Sequence, residues 1–305
     1  MKKLFVLLVA VVFVSCSKDS LEPINASAEA SLSVLDGKML SFKDDKSFIK
    51  EYSQLSELKS TKEIQSWISK KGHLSRLNTE NVSAVYLNDE IDNSEVIYSD
   101  ALNAILNTDS KFKINETVIW LNERVFYKVN EKDIDKTASE LLLIKNKLEV
   151  YGSLLNVSSK SSNSTNKTVP NENRSKDWVQ YFDNSNRRLV LVLSNETIKY
   201  SNGEIASSKM FLYTAEQYKS CSFWRCTWKT NTSTINKLTF AVSFDVASGW
   251  TSNQGSGVFD FANGSNILLA TNYIPTMNFN GFYNINTSVL YNSSMYNWSQ
   301  IVQWY

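Results

Sequence analysis

Hydrophobic positions recur every three or four residues in the first half of this chain and every two in much of the second. Phe48, Ile49, Tyr52, Leu55 and Leu58 follow Asp44 and Asp45 at helical spacing, which predicts a helix with acidic residues at its start. Ser60 and Glu63 form a capping box ahead of Ile64, Trp67 and Ile68, and Lys70, Lys71 and Gly72 supply a stop, so a second helix follows almost at once. A shorter helix is expected around Ser99–Leu106, and a last one from Ile134 to Leu148 with Leu141, Leu142, Ile144 and Leu148 as its buried stripe. Between these two, Phe112 and Ile114 start a β segment, and Val118–Val129 reads as a hairpin closed by the polar turn Asn122-Glu123-Arg124.

In the second half Leu238, Phe240, Val242, Phe244 and Val246 alternate with Thr239, Ala241, Ser243 and Asp245, the pattern of a half-buried antiparallel strand. Leu189–Leu193 is apolar without a break and predicts a strand buried on both faces. Met277 and Phe279 alternate with Asn278 and Asn280, and Ser/Asn/Gly clusters at 184–186, 201–203, 252–257 and 263–266 mark turns. Strands and turns of this kind predict a sandwich or barrel. Val157–Lys176 contains two valines and no other large apolar side chain, so it cannot contribute a core and reads as a solvated connection. The expected organisation is an α+β N-terminal module over 32–156, a Ser/Asn-rich linker over 157–177 and an all-β, sandwich-like domain over 178–305.

The N-terminus adds a location. Lys2 and Lys3 precede eleven apolar residues, Leu4–Val14, and then Ser15 and Cys16. As a helix that run spans about 16 Å, too short for the ~30 Å core of a bilayer, so residues 1–15 read as a cleaved secretory signal. The small residue before Cys16 resembles the lipobox of bacterial lipoproteins, in which the cysteine is acylated and becomes the new N-terminus. That resemblance implies lipidation at Cys16, with Ser17–Ser31 as a polar stalk; the competing reading is an ordinary signal with a free cysteine. Ser17-Lys18-Asp19 resembles the export signal of Bacteroidetes surface lipoproteins. Val34-Leu35-Asp36-Gly37-Lys38-Met39-Leu40-Ser41-Phe42 and Leu106-Asn107-Thr108-Asp109-Ser110-Lys111-Phe112 are similar to segments of an uncharacterised group of those proteins, and Arg187-Arg188-Leu189 more weakly so. In the group the second segment continues to a turn where Gly is usual and this chain has Asn115, a residue that tolerates the left-handed conformation. The resemblance implies an outer-membrane lipid anchor on the cell surface and carries no activity with it.

Charge narrows the partners. With 32 basic against 31 acidic residues the chain has no field to gather nucleic acid. One histidine, His73, and three cysteines do not make a His-based or four-thiolate zinc site, and no glycine-rich phosphate cradle occurs, so neither a metal nor a cofactor is expected. His73 directly follows the predicted stop of the second helix and reads as a capping side chain rather than a catalytic one. Once Cys16 is lipidated, Cys221 and Cys226 remain, five positions apart. In an oxidising compartment they form either a disulfide across a tight bend or two unpaired thiols.

Such a bend would present Phe223, Trp224 and Arg225, with Trp228 nearby. These are the residue types of binding hot spots, so this tip is the first candidate contact surface; the alternative is that the tryptophans are core, or pair with the arginine. Residues 246–305 carry a single charged side chain, Asp260, and six of the eight tryptophans lie at or beyond Trp178. A neutral surface of amides, hydroxyls and rings suits a glycan, and equally describes a sandwich that uses Tyr and Trp as core and edge. The function expected is therefore non-enzymatic binding or adhesion, to a glycan or a surface protein, through the C-terminal β region. The rival is a glycan hydrolase using two of Asp177, Asp183, Glu196, Glu204, Glu216, Asp245 and Asp260.

Overall fold

Asp44 opens the first helix, α1 (Asp45–Ser56), because its carboxylate accepts the Ser47 N–H at 2.8 Å and fills one of the donors that a helix start leaves unmet. Ser60 does the same for α2 (Thr61–Lys71), which ends at Gly72 with φ 73°, a left-handed residue where a side chain would be strained. Ser99 caps α3 (Asp100–Ile105) and Thr137 caps α4 (Ala138–Ile144) in a reciprocal box with Glu140. The computed structural model describes residues 31–78, 98–156, 175–231, 235–246, 253–262, 264–272, 282–292 and 297–304. The signal, Cys16, most of the stalk, residues 157–174 of the expected linker and the alternation at 277–280 lie outside them.

Tight turns set the first strands. β1 (Ser33–Asp36) and β2 (Met39–Phe42) pair through the turn at Gly37, and β2 then lies parallel to β3 (Lys111–Ile114). β3 turns into β4 (Thr117–Asn122) through Asn115 at φ 45° and Glu116 at φ 65°, so asparagine does take the left-handed position and the two-residue turn matches the twist of its strands. The expected hairpin follows as β4 and β5 (Val125–Val129). The fourth helix is shorter than predicted. Residues 145–147 tighten into a 3-10 turn and Glu149 starts β6 (Glu149–Asn156), leaving Leu141 and Leu148 buried but Leu142 half-exposed.

The largest departure from expectation is at the linker. β6 pairs antiparallel with β8 (Arg187–Tyr200), Gly152 opposite Tyr200 and Asn156 opposite Glu196, so one sheet continues from the first half of the chain into the second. β8 and the seventeen-residue β9 (Ile205–Cys221) form its spine. The outer edge of β8 is shared end to end by β6 and β7 (Ser175–Phe182), and that of β9 by β10 (Cys226–Thr230) and β13 (Ser265–Asn272). Among the described residues the result is an eleven-stranded mixed sheet, while β11 (Ile235–Val246), β12 (Asn253–Ala262), β14 (Phe282–Asn292) and β15 (Asn297–Trp304) make a second one, in the order β12-β11-β14-β15. The protein is thus mostly sheet with few helices. Most strands after 175 do not close a sandwich of their own, and Leu32–Tyr305 gather into one compact unit. Linker composition excludes a core at 157–174 but says nothing of which strands pair across it. The turn expected at 252–257 is likewise mostly strand, taken into β12 by pairing with β11.

Burial follows the alternation. Leu189, Leu191 and Leu193 join α1, α2 and α3 in the main core, while Val190 and Val192 pack on the opposite face with Tyr213 and Ala215, so β8 is covered on both sides as its unbroken apolar run predicts. Leu238, Phe240, Phe259 and Phe261 bring the second sheet into the same main core. A separate cluster under α4 holds Trp120, Val118 and Leu141. At the β6–β8 seam a Cβ on Gly152 would stand 2.5 Å from the Lys199 carbonyl oxygen. Gly152→Ala is therefore expected to cost about 1–3 kcal/mol, as an overpacked interior does. Urea denaturation reads this directly, and an unchanged midpoint would mean that the seam tolerates a side chain.

Candidate functional site

The β9–β10 hairpin carries the candidate tip. Its register sets Cys221 opposite Cys226, and the two are bonded with an S–S distance of 2.05 Å. The loop between them is closed again by Ser222, whose backbone N–H donates to the Arg225 carbonyl at 2.8 Å and whose hydroxyl donates to the same oxygen at 3.1 Å. Phe223 and Trp224 are left as the two apical residues, 88% and 90% exposed. Their rings meet edge to face, centroids 4.7 Å apart, so each steadies the other while both remain open to solvent. Arg225 is exposed beside them.

Trp228 does not belong to this surface. Period two along β10 places it on the sheet face where side chains of β7 and β8 reach across it, and it is 3% exposed. The Arg188 guanidinium lies 4.3 Å from its ring centroid, Tyr181 packs at 5.9 Å, and Arg188 is fixed by donating from Nε to Gln217 at 2.7 Å. The tryptophan does pair with an arginine, but with Arg188 from β8, two strands away, rather than Arg225. Its role is to brace the base of the hairpin.

Sequence reasoning missed a second cluster, buried beneath the helices. Glu196 on β8 is 1% exposed, and its carboxylate accepts from the Tyr52 hydroxyl at 2.5 Å, the Ser99 N–H at 2.8 Å and the Ser99 hydroxyl at 2.6 Å. Ser99 therefore caps α3 and ties it to the sheet with one side chain. Asp100, next in sequence, accepts the Asn266 N–H from β13 at 3.2 Å; burial pushes its carboxyl up to about 7. Lys209 on β9 is wholly buried, donates to Thr271 at 3.3 Å and lies 5.4 Å from the Tyr52 ring centroid; burial brings its ammonium down to about 8. Burial also raises Glu196 and, together with the Glu196 charge, Tyr52. The only signal for this cluster in the sequence is a charged residue close to the apolar run of each strand, Glu196 after Leu189–Leu193 and Lys209 before Met210-Phe211-Leu212.

These groups pin α1 and α3 to the sheet, and none is exposed to a substrate. Of the other carboxylates weighed for hydrolysis, Asp183 and Glu216 meet at one guanidinium, that of Arg187, at 3.2 and 3.8 Å, which counters their charge, and Glu216 is buried. Glu204 follows the next turn, Asp260 is exposed on β12, and the side chains of Asp177 and Asp245 lie outside the described ones. Among the described residues no three His, Cys, Asp or Glu side chains gather into a metal set. His73 is buried, bonded through Nε2 to the Ala104 carbonyl at 2.7 Å, and burial lowers its imidazole; it joins the end of α2 to α3.

Fold and site together define a β-rich protein that presents a disulfide-locked aromatic hairpin tip. The chain matches no protein-family model, no curated protein and no solved structure.

Proposed function

We propose that this chain is a bacterial outer-membrane lipoprotein, anchored by lipid on Cys16 and exposed at the cell surface, that binds or adheres without catalysis. In this reading the helix-bearing N-terminal part is the base, and the strand-rich C-terminal part presents the contact, with a glycan as ligand class. The observation that carries the reading is the locked tip, two nearly fully exposed rings on a strand ribbon braced by Trp228. Covering both rings would remove on the order of 300 Å² of apolar surface from water, a gross gain of roughly 7 kcal/mol. Association costs about 4–15 kcal/mol, so one tip is a weak contact. Many copies tethered to one surface turn weak contacts into adhesion through effective concentration.

Three measurements test this. The full chain is expected to bind a glycan array, and Phe223→Ala/Trp224→Ala to lose at least about tenfold in affinity without change in stability, since both side chains are solvent-exposed. Release of reducing sugar by the chain would overturn the non-catalytic reading. Cys16→Ala is expected to move the protein out of the membrane fraction; unchanged fractionation and palmitate labelling would overturn the anchor.

A further inference from the structure

Resting on the binding reading above, we infer that the β9–β10 tip takes an acidic glycan, one bearing carboxylate or sulfate groups, in preference to a neutral one. Residues 217–231 contain three cations, Lys219, Arg225 and Lys229, and no Asp or Glu. All three are exposed, and the strand alternation spreads them around the tip: Lys219 on the face of Trp228, Lys229 on the other, Arg225 in the loop itself. Among the described residues neither Arg225 nor Lys229 is in an ion pair, and Lys219 rests 5.9 Å from the Trp228 ring centroid. The acid in the adjoining turn, Asp183, is held by Arg187 at 3.2 Å. The positive collar is therefore left to an outside anion.

The rest of the tip selects among anionic partners. Ser220, Ser222 and Thr227 place hydroxyls around the apex, and no aliphatic side chain occurs from 217 to 231. A finger built for a bilayer would add Leu or another aliphatic residue to its Phe and Trp to widen the inserted surface. An acidic sugar uses what is present: its C–H face stacks on the exposed rings, its hydroxyls bond Ser and Thr, and its carboxylate or sulfate meets the Arg225 fork in a charge-assisted pair.

The test presents the full chain with heparin and hyaluronan oligosaccharides, neutral manno- and cello-oligosaccharides, and phosphatidylcholine vesicles with and without phosphatidylglycerol. Acidic oligosaccharides are expected to bind, with affinity falling at least about tenfold in Lys219→Gln/Arg225→Gln/Lys229→Gln and also in ~0.5 M salt. Because Lys219 touches Trp228, Arg225→Gln/Lys229→Gln serves as the variant that leaves the base intact, and is expected to lose most of the same affinity. Equal binding of neutral sugars that survives both variants would overturn the preference and leave the binding reading standing. Binding of no glycan at all would overturn both. Capture by anionic vesicles in place of acidic sugars would replace the glycan with a lipid surface and overturn the inference.

Discussion

Glu196→Ala is expected to lower the unfolding free energy by about 3–5 kcal/mol, the cost of stripping a buried charged network of one member. The carboxylate is the acceptor for three donors from two helices, and its loss leaves the Tyr52 hydroxyl and both Ser99 donors without it inside the core. It also removes the negative charge that Lys209, wholly buried on β9, feels across the cluster. Glu196→Gln keeps the shape and one acceptor oxygen and is expected to lose less than half as much. Urea denaturation of the three proteins at neutral pH decides the matter. Equal midpoints for wild type and Glu196→Ala would show that α1 and α3 are held without this anchor.

The same cluster sets a pH dependence. Asp100 has its folded pKa raised to about 7 from an ordinary 3.8, so the protonated carboxyl is the form that suits the fold. Its contribution is fully present below the unfolded value and is lost as pH rises through the folded one. The Asp100 contribution to stability is therefore expected to fall from about pH 4 to about pH 7, by at most ~4 kcal/mol for a shift of this size, while His73, whose imidazole burial lowers, acts in the opposite sense below its ordinary 6.5. Glu196, also raised by burial, acts in the same sense as Asp100. Lys209, lowered to about 8, acts oppositely: its contribution returns as pH rises beyond that value toward 10.5. Asp100→Asn removes the titrating carboxyl, so the variant is expected to be more stable than wild type at pH 7 and to show a flatter profile from 4 to 7. Parallel profiles for the two proteins would mean that Asp100 stays ionised throughout.

The helix starts at Asp44, Ser60 and Ser99 and the stop at Gly72 were legible because capping chemistry is local: a side chain answers a backbone group three residues away. Leu189–Leu193 and the alternation around Leu238 were legible because burial of a strand is written in its own period. The course of the sheet was not, since β6 and β8 find each other across residues 157–174 and no local pattern records the pairing. At the tip, cysteine spacing pointed to the bend and to Phe223, Trp224 and Arg225. Trp228 was misplaced because its surroundings come from Arg188 and Tyr181, residues on other strands. The Glu196 cluster was missed for the same reason, as its partners lie 97 and 144 residues away in sequence.

The β6–β8 seam also constrains the order in which the molecule can be made. A ribosome delivers α1, α3 and β1–β6 first, yet the edge of β6 is completed only when β8 emerges, and Asp100 meets Asn266 later still, 166 residues on. Until then the early chain has an open sheet edge and helices without their polar anchor, a state of low stability and high contact order. Such a chain cannot lock into its final form while half synthesised. That delay makes the second half of the sequence the part that commits the first.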